Sequence, residues 1–116
     1  MTEQVERESM EFDVVIVGAG PSGLAAAIRL RQICEETGTD ISVCVVEKGS
    51  EVGAHIMSGA IMEPRAMNEL FPDWKERGAP LNTPVVQEKM LILTEPNAIR
   101  VPNFSFPSQF NNHGNY

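Results

Sequence analysis

The sequence predicts an α/β fold that opens with a strand, a helix and a second strand, and three observations predict it. Val14 to Val17 is an unbroken β-branched apolar run, the composition of a parallel strand covered on both faces, where apolar-polar alternation disappears. Gly18-Ala-Gly-Pro-Ser-Gly23 follows at once and leads into Leu24, Ala25, Ala26, Ala27, Ile28 and Leu30, a run of good helix formers. Ile41-Ser-Val-Cys-Val-Val-Glu47 then reads as a second apolar strand that ends in a carboxylate.

Each glycine of the turn has its own task. Gly18 permits the tight turn, Gly20 lacks a Cβ and lets the backbone approach a pyrophosphate, and Gly23 lets the helix pack closely on the strand. Pro21 presets φ in the first helical turn, where its missing N–H costs nothing. The unpaired N–H groups of the helix start, and the positive end of its dipole, attract a phosphate through charge-assisted bonds worth roughly 1.5 to 3 kcal/mol each. A lone GxGxxG is a weak signal, because glycine-rich turns are common; the strand before it, the helix after it and the acid beyond it give it weight. Glu47 stands about 24 residues past Gly23. A carboxylate there accepts bonds from the adenosine 2′- and 3′-hydroxyls and repels a 2′-phosphate, which favours FAD or NAD over NADP. The expectation is a Rossmann-like FAD-binding βαβ start of a larger FAD/NAD(P)-binding domain, followed by an irregular segment and a β-hairpin.

Composition sets the outer bounds. With 116 residues, a formal net charge of −7 and 42% hydrophobic content, the chain is globular in character. Its charge suits neither nucleic acid nor an anionic bilayer, so no nucleic-acid partner is expected. No apolar run approaches the ~18 residues that argue for a membrane span, and Met1 to Met10 are polar and acidic without a signal-peptide core, which places the start of the chain in the cytosol. Cys34 and Cys44 are isolated thiols without CxxC spacing and read as packing residues rather than redox or metal groups.

Residues 1–10 read as a polar tail and 11–116 as the amino-terminal part of one cofactor domain. After Glu47 no second helix feeds a third parallel strand, so the unit is incomplete as it stands and a truncation is expected. Gly49 to Met62 is a glycine-bearing crossover able to lie against a cofactor, and His55 within it reads either as a hydrogen-bonding partner of a flavin or phosphate or as a solvated loop histidine. Pro64 to Leu70 suggests a short helix stopped by Phe71-Pro72, with Trp74 an anchor packed on the domain. Gly78 to Pro84 is a loop. Val85 to Leu93 and Ile99 to Val101 have strand character around a turn at Glu95-Pro-Asn-Ala98, which makes a hairpin. Phe104, Phe106 and Phe110 follow among prolines and serines, in a segment unsuited to a regular helix or central strand. They read either as packing under a loop or as an exposed apolar lip that touches a membrane surface or a quinone.

Together, Asp13-Val-Val-Ile-Val-Gly-Ala-Gly-Pro-Ser-Gly23, Val45-Val-Glu-Lys48, Gly53-Ala-His55, Ser58-Gly-Ala60, Leu70-Phe-Pro-Asp-Trp-Lys75, Gly78-Ala-Pro-Leu-Asn-Thr-Pro84 and Asn111-Asn-His-Gly-Asn-Tyr116 resemble the electron transfer flavoprotein:ubiquinone oxidoreductases. The resemblance runs from Phe12 to Tyr116. The glycine motif is shared by countless flavoproteins, whereas the segments around Trp74 and at the terminus discriminate far better. The resemblance implies an enzyme that takes electrons from reduced electron transfer flavoprotein, passes them through FAD and a 4Fe-4S cluster, and reduces ubiquinone. It implies peripheral contact with the cytosolic face of the bacterial inner membrane, or with the inner mitochondrial membrane. Carried over by motif, Gly18, Ala19, Gly20, Pro21, Ser22 and Gly23 would hold the FAD pyrophosphate and Glu47 the adenosine ribose. Lys48, Gly53, His55, Ser58 and Gly59 complete the expected cofactor-binding set, and Met90 to Phe110 would form an apolar hairpin beside the quinone and the membrane. No catalytic side chain and no cluster ligand is expected in this segment, which alone should not catalyse.

Two other readings stay open at this point. The same FAD half serves flavin-dependent reductases and monooxygenases, which a downstream sequence without clustered cysteines would favour. An inactive truncated fragment would melt broadly, without a flavin spectrum.

Overall fold

A computed structural model describes residues 7–57 and 59–116. The chain divides into two compact units, Met1–Met57 and Ser58–Tyr116.

The first unit is the strand-helix-strand start. Strand β1, Val14–Val17, leads through the glycine turn into helix α1, Pro21–Thr37, and the chain returns as strand β2, Val43–Val46. The strands pair in parallel, Val14 opposite Val43 and Val17 opposite Val46. The second strand is thus shorter than Ile41 to Glu47: Ser42 is drawn into a clamp below the ladder, and Glu47 leaves it above. In the clamp the Asp13 N–H donates to the Ser42 hydroxyl at 3.0 Å. The Ser42 N–H and hydroxyl each donate to Asp13 Oδ2 at 2.7 Å. Helix α1 packs on both strands and buries Cys34. It ends at Gly38 in the left-handed conformation (φ 67°), with the Gly38 and Thr39 N–H groups both on the Cys34 carbonyl, an ending that glycine adopts without a Cβ penalty.

Inside this chain one face of the strands stays open, as expected for an incomplete unit. Along β1 the side chains alternate between half-buried and exposed, with Val15 52% and Val17 86% exposed, because α1 covers only one face of the two strands. Among the described residues no third strand joins them, and the buried hydrophobic residues are Ala19, Cys34 and Trp74.

The second unit contains a short helix α2, Arg65–Leu70, and an antiparallel hairpin of β3, Met90–Leu93, and β4, Ala98–Val101. Its centre is Trp74, 3% exposed. The indole N–H donates to Asn68 Oδ1 at 2.7 Å, and the Tyr116 ring meets the indole edge-on with centroids 5.6 Å apart. Such a pair adds to area burial, and the indole N–H has the partner a buried donor requires. The end of the chain is laced into this unit. Met62 and Tyr116 exchange backbone bonds of 2.6 and 2.9 Å, the Val85 N–H reaches the Asn115 carbonyl at 2.7 Å, and Glu88 accepts from the Asn112 N–H at 2.8 Å. These last bonds explain why the strand expected from Val85 begins only at Met90: its first residues are engaged by Asn112 and Asn115 instead. Thr94 and Asn97 close the hairpin turn around Glu95-Pro96.

The phenylalanine segment forms two single-turn 3-10 helices, Asn103–Ser105 and Ser108–Phe110. Phe104 is 93% exposed and Phe110 is exposed as well, so packing under a loop does not describe these two residues in this chain; Phe106 is half-buried.

Candidate functional site

The site begins where β1 runs out. The Gly18 N–H still bonds to the Val46 carbonyl at 2.7 Å, one step past the last strand pair, and Gly18 then turns the chain at φ 104°, a conformation L side chains rarely adopt. Gly20 is the N-cap of α1 in extended conformation (φ −77°, ψ 179°), and its carbonyl accepts from the Leu24 N–H at 2.9 Å. No side chain caps the helix, and no acidic residue sits in its first turn. The N–H groups of the helix start are therefore left to an outside acceptor, in the positive field of the dipole.

The remaining glycines divide their work as the sequence suggests. A Cβ on Gly20 would meet nothing within 4 Å, so packing within this chain does not require glycine there and the backbone is open on that side. A Cβ on Gly23 would run into the Gly18 carbonyl oxygen and stand 3.3 Å from Ile16 Cγ2. Gly23 serves the packing of helix on strand. An open Gly20 and an uncapped helix start with no acidic residue in its first turn together fit a pyrophosphate group.

Glu47 closes the other side. Its Oε2 accepts the Ala19 N–H at 2.8 Å and its Oε1 accepts the Gly49 N–H at 2.7 Å. These two bonds, Gly49 first and then Ala19, hold the carboxyl below its usual range against the opposing effect of desolvation, and the His55 side chain and Lys48 backbone lower it further. The site therefore keeps a fixed negative charge at the end of β2. Gly49 fits here because a Cβ would stand 3.2 Å from Ala54 Cβ and 3.3 Å from Glu47 Oε1.

The structure brings the glycine turn and Glu47 together through a hydrogen bond, and His55 and the Lys48 backbone also act on the Glu47 carboxylate. Lys48, Gly53 and His55 are exposed, Gly53 at φ 92° in the loop after β2. Gly59 belongs to the second unit, and Ser58 lies outside the described residues. Gly49 was read from sequence only as the start of the crossover, and its bond to Glu47 was missed; a glycine two positions after a strand-ending carboxylate was the available signal. A cavity of about 390 Å³ in the second unit, lined in part by Glu88, Arg100, Phe106 and His113, contains none of the residues of the glycine turn. Among the described residues no group of three or more His, Cys, Asp or Glu is arranged to hold a metal ion, and no helix is long and apolar enough to cross a membrane.

A parallel strand-turn-helix-strand with an open glycine N-cap and an acid at the end of the second strand defines a dinucleotide-binding protein, and the chain belongs to the NAD(P)-binding Rossmann-like domain family, whose model matches residues 16–73. It is 66% identical, over 97% of its length, to the electron transfer flavoprotein-ubiquinone oxidoreductase of Pseudomonas aeruginosa. It is 62% identical over 95% of its length to the mitochondrial protein of that name from Dictyostelium discoideum, and 59% identical over 97% to that from Mus musculus. The chain spans 20% of the Pseudomonas protein and 18% of each of the other two.

Proposed function

We propose that this chain is the FAD-binding portion of an oxidoreductase that passes electrons from reduced electron transfer flavoprotein to ubiquinone. The observation that carries the reading is the uncapped start of α1 at Gly20, open on its outer side and bordered by Glu47. Gly18, Ala19, Gly20, Pro21, Ser22 and Gly23 hold the pyrophosphate of FAD, and Glu47 accepts the adenosine ribose hydroxyls. Lys48, Gly53 and His55 form the outer part of the same binding surface. FAD supplies the electron chemistry when bound; this chain's residues supply position and a fixed charge.

The names of the relatives support electron transfer flavoprotein and ubiquinone as the partners. The whole enzyme carries a 4Fe-4S cluster whose ligands lie outside this chain; its two cysteines, Cys34 buried on α1 and Cys44 on β2, are too few to form a cluster site. The exposed apolar hairpin, with Leu91, Ile92, Leu93 and Ile99 each about half exposed or more, supports peripheral contact with the bacterial inner membrane or its mitochondrial counterpart, as does exposed Phe104.

The test is a chimera in which this chain replaces the matching segment of the Pseudomonas aeruginosa relative. The chimera is expected to purify yellow with bound FAD and to reduce a soluble ubiquinone analogue from reduced electron transfer flavoprotein. A folded chimera that holds no flavin would overturn the reading.

A further inference from the structure

We infer that Glu47 is a positioning residue that couples the ribose end of the cofactor site to the pyrophosphate turn, an inference that rests on the reading above. Ala19 stands between Gly18, the last residue to bond with the sheet, and Gly20, the helix N-cap. Its N–H lies past the end of the parallel ladder and before the first helical bond, and it finds its partner in Glu47 Oε2 at 2.8 Å. Ala19 is 3% exposed, so water is a poor substitute and a lost acceptor would leave a buried donor unsatisfied. The peptide that Glu47 holds is Gly18–Ala19, one peptide unit before Gly20, so fixing it fixes the start of the turn from which the open Gly20 backbone is presented.

The other oxygen of the same carboxylate holds the Gly49 N–H at 2.7 Å and so ties the loop after β2 to the same point. A carboxylate oxygen has two lone pairs, so each oxygen keeps one acceptor site after its backbone bond. Those remaining sites are the ones available to a pair of ribose hydroxyls. One group thus receives the Ala19 and Gly49 straps, with a lesser interaction from the Lys48 backbone, and keeps acceptor capacity for the nucleoside, so that ordering at either end orders the other. A glutamine cannot replace it: the amide oxygen satisfies one N–H, and the amide NH₂ then faces the other, donor against donor.

The experiment measures binding of FAD, and of the FAD analogue lacking the adenosine 2′- and 3′-hydroxyls, to the deflavinated chimera and to its Glu47→Gln variant. A Glu47 that acts only on the ribose gives the analogue equal affinity for both proteins, and that result overturns the inference. Coupling predicts that the analogue, which has no hydroxyls to lose, still binds Glu47→Gln about tenfold more weakly. If the parent chimera fails to bind FAD at all, the functional reading itself falls. Should Glu47→Gln not fold, amide exchange in the unsubstituted chimera decides: saturating adenosine, which carries no phosphate, is expected to slow exchange at Ala19 several-fold relative to Leu24, and unchanged exchange at Ala19 overturns the inference.

Discussion

The carbonyl oxygen of Gly18 occupies the place where a side chain on Gly23 would have to go. A turn that passes this close to the helix it feeds tolerates no Cβ at the third glycine, and the obstacle is backbone, which cannot rotate away. Gly23→Ala is therefore expected to destabilise the first unit by about 1–3 kcal/mol, as overpacking of a tight contact does. Denaturant unfolding of the chimera checks it; an unchanged midpoint would mean that helix and strand do not approach in this way.

Acid acts on the clamp at the foot of the two strands. The Ser42 backbone N–H, and then its hydroxyl, lower the pKa of the Asp13 carboxyl in the folded state. A depressed folded pKa gives stability that is present above the unfolded value and lost as pH falls through the folded one. Glu47 follows the same sign, held down by Gly49 and Ala19. The first unit is expected to weaken as pH drops below about 4. In Ser42→Ala the Asp13 carboxyl loses its hydroxyl donor, and its midpoint, read by carbon-detected NMR, moves upward. A midpoint identical in both proteins would count against the clamp.

Trp74 organises the second unit. Asn68→Ala leaves the indole N–H without its 2.7 Å acceptor in a residue that is 3% exposed, and is expected to cost about 1–3 kcal/mol. Trp74→Ala removes the ring that meets Tyr116 as well and costs about 3–5 kcal/mol. Unfolding monitored by near-ultraviolet dichroism measures both, and equal losses would mean that the hydrogen bond, not the ring, carries the anchoring.

Leu93, 75% exposed, and Phe104, 93% exposed, are the most open apolar side chains of the hairpin and the segment after it. Replacing both by serine in the chimera is expected to reduce partitioning onto liposomes by roughly tenfold or more, given the apolar area removed. Undiminished partitioning would place membrane contact elsewhere.

What could be read from the sequence was local. The run Val14–Val17, the three spaced glycines and Pro21 each impose their conformation on their own neighbours, and β1, the turn and α1 stand where those residues put them. Glu47 was legible as an acid at a strand end. Its attachment to Ala19, 28 residues earlier in the chain, was not, because no pattern in either segment encodes a bond that exists only after β1 and β2 pair. The late start of β3 has the same origin, since Val85 is engaged by Asn115, a partner thirty positions away. The open face of β1 fits the same local reading: an apolar run states that cover is required, and a unit without its third strand does not supply it.

The most direct measurement is a calorimetric FAD titration of the deflavinated chimera beside its Gly20→Ala variant. A Cβ at position 20 meets nothing in the protein, and Gly20 adopts φ −77°, which alanine shares, so the fold and its melting point are expected to stay the same. The added methyl group stands where the pyrophosphate approaches, so FAD affinity is expected to fall by at least tenfold, roughly the loss of one charge-assisted contact. Equal affinity in the two proteins, with equal melting, would contradict binding of the cofactor at this turn.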